Sequence, residues 1–297
     1  MFYKDEKLFN YFEYSRMVIK KHAKSFYYSS RFFPNEVKWS SYAVYASCRY
    51  IDNIVDNPRE RSESEIRKEL DHIRNELKLA YKYGESEHPA LGGFAIVASR
   101  YSIPIDYPLD LINGAEMDLT INEYETFDDL DLFCYRVASV VGLMMTHVMG
   151  YKGGKDTLDK AEKLGKAMQL TNILRDIAED SDMGRIYIPK EDLDSFGLDK
   201  TSITSSKFTR NFREMMYFQV ERAKGLYLEA NPGIDMLSED CRFAIYSASK
   251  IYGSILDEIV KRDYNPFKGR AYITTSQKTS ILFRELFTTK VRKFKAA

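Results

Sequence analysis

Cysteine, tryptophan and histidine are all scarce in this 297-residue chain, with three, one and four respectively. Cys48, Cys134 and Cys241 are odd in number, scattered and without metal-ligand spacing. That excludes a disulfide framework and fits a reducing cytosol. His22, His72, His88 and His147 form neither an HExxH nor an HD-type arrangement. His147 sits in an apolar stretch and reads as a satisfied core residue rather than a metal ligand. Net charge is also missing, because 44 basic residues meet 44 acidic ones. A chain without a basic excess offers no electrostatic footprint for nucleic acid. Absence of GxxxxGK[ST], GxGxxG and GxSxG excludes nucleotide-driven and serine-hydrolase chemistry of the usual kinds. Long hydrophobic runs are lacking too. The oiliest stretch, 137–150, is interrupted by Ser139, Gly142, Thr146 and His147, falls short of a bilayer and reads as a buried helix. The first twenty residues are studded with Lys, Asp and Glu, which is unlike a signal-peptide core.

What is present is aromatic and helical. Most of the 22 tyrosines and 18 phenylalanines read as core, and a cavity lining is the alternative for the surplus. Apolar residues recur at three and four spacing over 13–24, 39–55, 63–83, 89–101, 108–122, 127–149, 156–178, 209–230, 239–263 and 276–294. Turn chemistry separates them at Phe33-Pro34-Asn35, His88-Pro89, Ile103-Pro104, 151–154, Asn231-Pro232-Gly233 and Asn265-Pro266. No linker or low-complexity run divides the chain. The expectation is one all-α domain spanning 1–297.

Two aspartate pairs carry the chemistry: Asp52/Asp56 in RYIDNIVD and Asp176/Asp180 in NILRDIAED. Residues four apart share one helix face, so each pair aims two carboxylates in one direction and repels itself when bare. A hard divalent ion resolves that repulsion. Mg²⁺ characteristically takes one or two carboxylates together with phosphate oxygens. Arg49 and Tyr45 precede the first pair by one and two turns. Gln169, Asn172, Asp176 and Asp180 form one polar stripe through Leu170, Ile173, Leu174 and Ile177, beside Arg175. Such a stripe is costly to bury unless its groups are satisfied. Spacing alone is weak, because Glu65/Glu69 and Glu125/Asp129 share it and read as solvated surface. The segment 181–192 holds Gly184, Arg185, Pro189 and Lys190; it is either a loop bringing cations to phosphate or an ordinary connection. Around Ser25, hydroxyls beside Lys21 and Lys24 make a phosphate contact or merely a helix end. The basic run KVRKFK (290–295) reads as a solvated helix terminus, with contact to anionic lipid as the alternative.

The stretches HAKSFYYSSRFFP (22–34), YAVYASCRYIDNIVD (42–56), CYRVASVVG (134–142), LGKAMQLTNILRDIAED (164–180) and GRIYIPKEDL (184–193) together resemble the squalene/phytoene synthase family, the head-to-head prenyl transferases. The resemblance covers essentially the full length and implies an isoprenoid-synthase-type bundle around a central cavity. It implies that Asp52, Asp56, Asp176 and Asp180, with Asn172, hold Mg²⁺, for which Mn²⁺ is a possible substitute. Ser25, Arg49, Gln169, Arg175, Arg185 and Tyr187 would meet diphosphate, and Phe26, Tyr45, Val137, Gly142, Leu170 and Tyr252 the hydrocarbon, with Tyr252 also a candidate in the chemistry. Two departures stand out. Asn53 replaces the second residue of a frequent Asp-Asp pair, and Phe133 replaces a frequent Tyr. Tyr135 and Tyr252 are the candidate substitutes for that lost hydroxyl.

The implied reaction joins two identical allylic diphosphates through a cyclopropylcarbinyl diphosphate. NADPH enters only if the product is squalene. Ser30 is small and Tyr42 large near the expected cavity floor, so Ser30 favours a C20 substrate and phytoene while Tyr42 favours a C15 substrate and dehydrosqualene or squalene. A long hydrocarbon product implies a cytoplasmic enzyme with peripheral membrane contact, with a downstream desaturase as a candidate partner. A catalytically silent helical scaffold is the reading from another class.

Overall fold

The computed structural model describes residues 3, 5–6, 8–23, 27, 30–56 and 61–296, with side chains as far as Thr288. Ser25 and Phe26, and the phosphate contact read around them, therefore lie outside the described residues. Among the described residues there are helices, turns and two isolated β-bridges but no strand. The helices are α1 (Phe9–His22), α2 (Asn35–Asp56), α3 (Glu63–Tyr83), α4 (Pro89–Tyr101), α5 (Asp106–Thr120), α6 (Phe127–Cys134), α7 (Val140–Met149), α8 (Lys155–Asp182), α9 (Lys190–Ser195), α10 (Lys200–Thr204), α11 (Arg210–Ala230), α12 (Glu239–Lys261) and α13 (Thr275–Ala296). The backbone divides into two compact units, described in turn: residues 1–120, 140–158 and 236–244, and residues 121–139, 159–235 and 245–297.

In the first unit α2 is the central element, packing against α1, α4, α5 and α7. Its sequence allows this because small side chains ring it: Ser40, Ser41, Ala43, Ala46, Ser47 and Cys48 are all buried. The serines satisfy their hydroxyls locally, Ser41 donating to the Val37 carbonyl at 2.6 Å and Ser47 to that of Val44 at 2.9 Å. Helix α3 begins at a Ser62/Glu65 capping box and ends at Gly84, whose φ of +77° suits glycine. Pro89 opens α4, with the His88 ring accepting from Ala90 N at 3.3 Å. A cleft of about 540 Å³ opens at the N-terminal end of α2, beside Tyr3, Val37, Tyr101, Val148 and Met149. Val37 is roughly 20 Å along the helix from Asp52 at 1.5 Å per residue. This cleft is not the aspartate site.

The second unit is built on α8. Thr171 shares a 3.1 Å hydroxyl contact with Tyr227 of α11, and Lys166 donates to Asp131 of α6 at 2.6 Å. Helix α6 continues through a π-helical turn, Tyr135–Ser139, so the helical run Phe127–Met149 reaches 23 residues. That lengthens the oily stretch read at 137–150: taken from Phe127, the expected 127–149 helix is long and apolar enough to cross a membrane by length and composition. Half of its most apolar window is nevertheless buried in protein. The π turn also lets Gly165 of α8 approach closely. A Cβ at Gly165 would stand 2.5 Å from Ser139 Cα and 2.8 Å from its nitrogen. Backbone cannot yield as a side-chain tip can, so Gly165→Ala is expected to cost about 2–3 kcal/mol. Urea or thermal unfolding measures it, and a change under about 0.5 kcal/mol would contradict that contact.

Among the described residues, sequence periodicity located the ten long helical runs, with 63–83 and 89–101 matching to the residue. It missed α9 and α10, which are too short to show a period.

Candidate active site

The first aspartate pair lies on the last turns of α2. Asp56 is exposed and accepts from Arg49 Nη1 at 3.1 Å. Asp52 is half-buried. Burial and the Asp56 carboxylate push the Asp52 carboxyl up to about 7 against the opposing pull of Arg49, with Asp118 adding to the rise. Arg49 Nε is buried and has no hydrogen-bond acceptor among the described residues. A carboxylate lacking sufficient counter-charge beside a donor lacking an acceptor is a site configured for a cation and an anion together. Tyr45 is half-buried one turn from Arg49. Burial raises its hydroxyl pKa, with Arg49 opposing and Asp52 reinforcing the rise. Asp118 of α5 escaped the sequence reading because it forms no pair; only the fold brings its charge to bear on Asp52.

The second pair lies near the end of α8. Arg175 binds its neighbour Asp176 through Nε at 2.8 Å and Nη2 at 2.5 Å. Arg270 approaches the same carboxylate, Nε to Oδ1 at 2.8 Å and Nη2 to Oδ2 at 3.0 Å, and Glu179 at 3.6 Å. Arg270 was also invisible in sequence, since its partner is 94 residues away. Burial works against the Arg175 charge, yet the Asp176 hydrogen bond and charge, with Tyr252 and Glu179, leave its pKa raised. Tyr252, half-buried on α12, thus acts electrostatically on Arg175. Asn172 donates to Gln169 at 3.4 Å, continuing the expected stripe. Asp180 is half-buried, and its carbonyl accepts from Arg185 N at 2.9 Å.

The segment after Asp180 is anchored. Ile186 N donates to Asn122 O at 2.8 Å and Lys190 N to Tyr124 O at 2.8 Å. Asp192 is buried, accepting from Gln219 at 2.7 Å and Arg222 at 2.5 Å, and the Arg222 guanidinium lies 3.8 Å from the Phe127 ring centroid. Tyr187 stacks on Phe133 at 5.4 Å and on Tyr124 at 5.9 Å. Phe133 therefore occupies an aromatic stack. Leu170 is buried, while Val137, in the π turn, and Gly142 are half-buried.

The comparison acids behave as surface: Glu65, Glu125 and Asp129 are exposed, and Glu69 pairs with Arg61. His147 differs from expectation. Its Nδ1 lies 3.3 Å from the Tyr101 carbonyl, but its buried Nε2 has no partner among the described residues, so the core histidine is only half satisfied. Ser30 and Tyr42 are both buried and meet, hydroxyl to hydroxyl, at 3.2 Å. Tyr27 and Trp39 flank Tyr42 at 5.8 and 5.6 Å.

Among the described residues no three His, Cys, Asp or Glu side chains converge to chelate an ion alone. Pairs still fit a Mg²⁺-like ion, whose remaining ligands are waters and substrate phosphate oxygens.

The chain is similar to known proteins over most of its length. The family model described as squalene/phytoene synthase matches residues 19–277. A phytoene synthase of Arthrospira platensis is 36% identical over 283 residues, 91% of each chain. A 15-cis-phytoene synthase of Synechocystis sp. is 35% identical over 280 residues, covering 90% of this chain and 82% of the relative. The crystal structure of a dehydrosqualene synthase in complex with ligand superposes with a TM-score of 0.86 at 30% identity, over 96% of this chain and 99% of the other. With both aspartate pairs, their arginines and an all-α architecture of this type, the chain belongs to the squalene/phytoene synthase family and is a prenyl transferase.

Proposed function

We propose that the chain condenses two molecules of geranylgeranyl diphosphate head to head to phytoene in carotenoid biosynthesis. The observation that carries the site assignment is the Asp52–Arg49 arrangement, a carboxyl pushed up to about 7 beside a buried guanidinium N–H without an acceptor. The C20 substrate is supported by relatives named phytoene synthase at 34–36% identity and by the small side chain of Ser30. Each compact unit carries one aspartate pair and the reaction needs both, so residues 1–297 are read as one functional domain.

Asp52, Asp56, Asp176 and Asp180, with Asn172, hold the divalent metal. Mg²⁺, for which Mn²⁺ can substitute, supplies Lewis-acid neutralisation of the departing diphosphate. Arg49, Arg175, Arg185, Gln169, Tyr187 and Ser25 bind diphosphate oxygens, and Arg270 joins them because it already reaches Asp176. The charge they place on the leaving group lowers the barrier to C1–O cleavage. Phe26, Tyr45, Val137, Gly142, Leu170 and Tyr252 keep the allylic cation from water, which would quench it to an alcohol. Aromatic faces stabilise that cation without attacking it. The double bond of the second substrate attacks C1 of the first, and loss of one proton closes a cyclopropane. Departure of the second diphosphate drives rearrangement to the linear skeleton. Loss of a second proton then leaves the central triene with no reductant consumed. NADPH is needed only for squalene.

The second reading, two farnesyl diphosphates to dehydrosqualene or squalene, is favoured by the bulk of Tyr42 at the buried Ser30 contact. Separate incubations with geranylgeranyl and farnesyl diphosphate, with and without NADPH, decide between them. The C20 substrate should give the C40 product without NADPH; exclusive turnover of farnesyl diphosphate would overturn the choice. No turnover of either would favour the silent scaffold. Because the product is insoluble in water, the enzyme is read as cytoplasmic and peripherally bound to membrane, where a downstream desaturase could take the product.

A further inference from the structure

Helix α13, Thr275–Ala296, wears its side chains inside out. Glu285 is completely buried, ion-paired with Lys250 of α12, while Phe283, Leu286 and Phe287 around it are 61%, 42% and 71% exposed. A helix folded only for water would do the opposite. The orientation is not accidental, since a second tie, Gln277 Nε2 to Glu258 at 2.8 Å, fixes the start of the same helix against α12. Phe283 and Phe287 are four apart and share one face, so their exposure is contiguous. Thr279, Ser280 and Arg284 are exposed beside them. The sequence then changes character: from 286 to 297 it holds Lys290, Arg292, Lys293 and Lys295 and no acidic residue, in a chain otherwise balanced in charge. The family model ends at residue 277, before Phe283 and the basic run.

We propose that α13 is an interfacial anchor that lays Phe283, Leu286 and Phe287 into the surface of an anionic lipid bilayer, with the basic run 290–295 held at the headgroups. An exposed apolar stripe continuing into like-signed basic charge matches the two requirements of an in-plane helix. The charge selects the occupant. A second copy would need an acidic patch in register with the basic run, whereas an anionic leaflet attracts each Lys or Arg independently of register. This deepens the membrane contact read above from product solubility, and it does not depend on which prenyl diphosphate is used.

The test is co-sedimentation of the full chain with vesicles of phosphatidylcholine alone or with about one-third phosphatidylglycerol. Two variants accompany the wild type: Phe283→Ser with Phe287→Ser, and Lys290, Arg292, Lys293 and Lys295 all changed to Gln. Wild type should bind the anionic vesicles at least about tenfold more tightly than the neutral ones, more weakly at high salt. Each variant should lose at least about tenfold in binding while keeping its turnover of substrate dispersed in detergent. The glutamine variant changes only terminal charges, so it decides the matter if the serine variant fails to fold. Equal binding to both vesicle types, or binding unchanged in the glutamine variant, would overturn the anchor. So would a concentration-dependent dimer abolished by the serine variant. Retained vesicle binding without turnover would instead count against the proposed function and leave the anchor standing.

Discussion

Asp52→Asn is expected to reduce turnover by at least about a thousandfold and, at the same time, to raise the melting temperature of the metal-free protein at pH 8. The first effect follows from the proposed role of Asp52 in holding the metal against the leaving group, worth several kcal/mol of barrier. The second follows from the carboxyl being pushed up to about 7 by burial, then by Asp56 and Asp118 against Arg49. An unfolded aspartate ionises near 3.9. Between about pH 4 and 7 the unfolded chain gains negative charge freely while the folded one resists, so this group's cost to stability grows with pH and is complete above 7. Asparagine removes that cost, on the order of 2–4 kcal/mol, or a rise of roughly 5 °C or more. At pH 4 the gain should vanish. Adding Mg²⁺ should stabilise wild type at pH 8 and leave the variant nearly unaffected. Calorimetry across pH reads all of this. A variant within tenfold of wild-type turnover, or one that melts lower at pH 8, contradicts the role of Asp52.

Ser30→Phe should switch product length. Ser30 is fully buried, donating to the Tyr27 carbonyl at 2.8 Å and meeting Tyr42 at 3.2 Å. Tyr42 is ten residues before Asp52 on α2, about 15 Å along the axis. With Ser30 on the proposed cavity floor, a phenyl group there would take the space of the last isoprene unit. Five buried carbons at about 0.8 kcal/mol each amount to roughly 3–4 kcal/mol, a factor of about 100 or more in preference. The ratio of C40 to C30 product from mixed substrates should fall by that factor. An unchanged ratio in a folded variant would remove Ser30 from the cavity floor.

How much of this was legible in the sequence depends on the range of each interaction. The two DxxxD pairs and the 169–180 stripe are local, set by helical spacing, and could be read directly. So could α3, bracketed by Ser62 with Glu65 at one end and Gly84 at the other. Asp118 and Arg270 were hidden because each matters through a partner far away in the chain. The 127–149 run was legible as one helix, but its oily part, 137–150, was read as too short for a bilayer because Ser139, Gly142, Thr146 and His147 interrupt it; Ser139 closes the π turn and donates to Glu162 O at 2.8 Å. The outward face of α13 was also illegible. Periodicity gives a stripe but not which way it turns, and the buried Glu285 settles that.

The most direct test is to follow hydrocarbon and inorganic diphosphate released from geranylgeranyl diphosphate by the purified chain, with Mg²⁺ and with the metal chelated. Two diphosphates per C40 hydrocarbon with Mg²⁺, and neither product once it is chelated, is the expected result. Hydrocarbon formed at an undiminished rate without metal, or diphosphate released with no carbon–carbon bond made, would contradict the account.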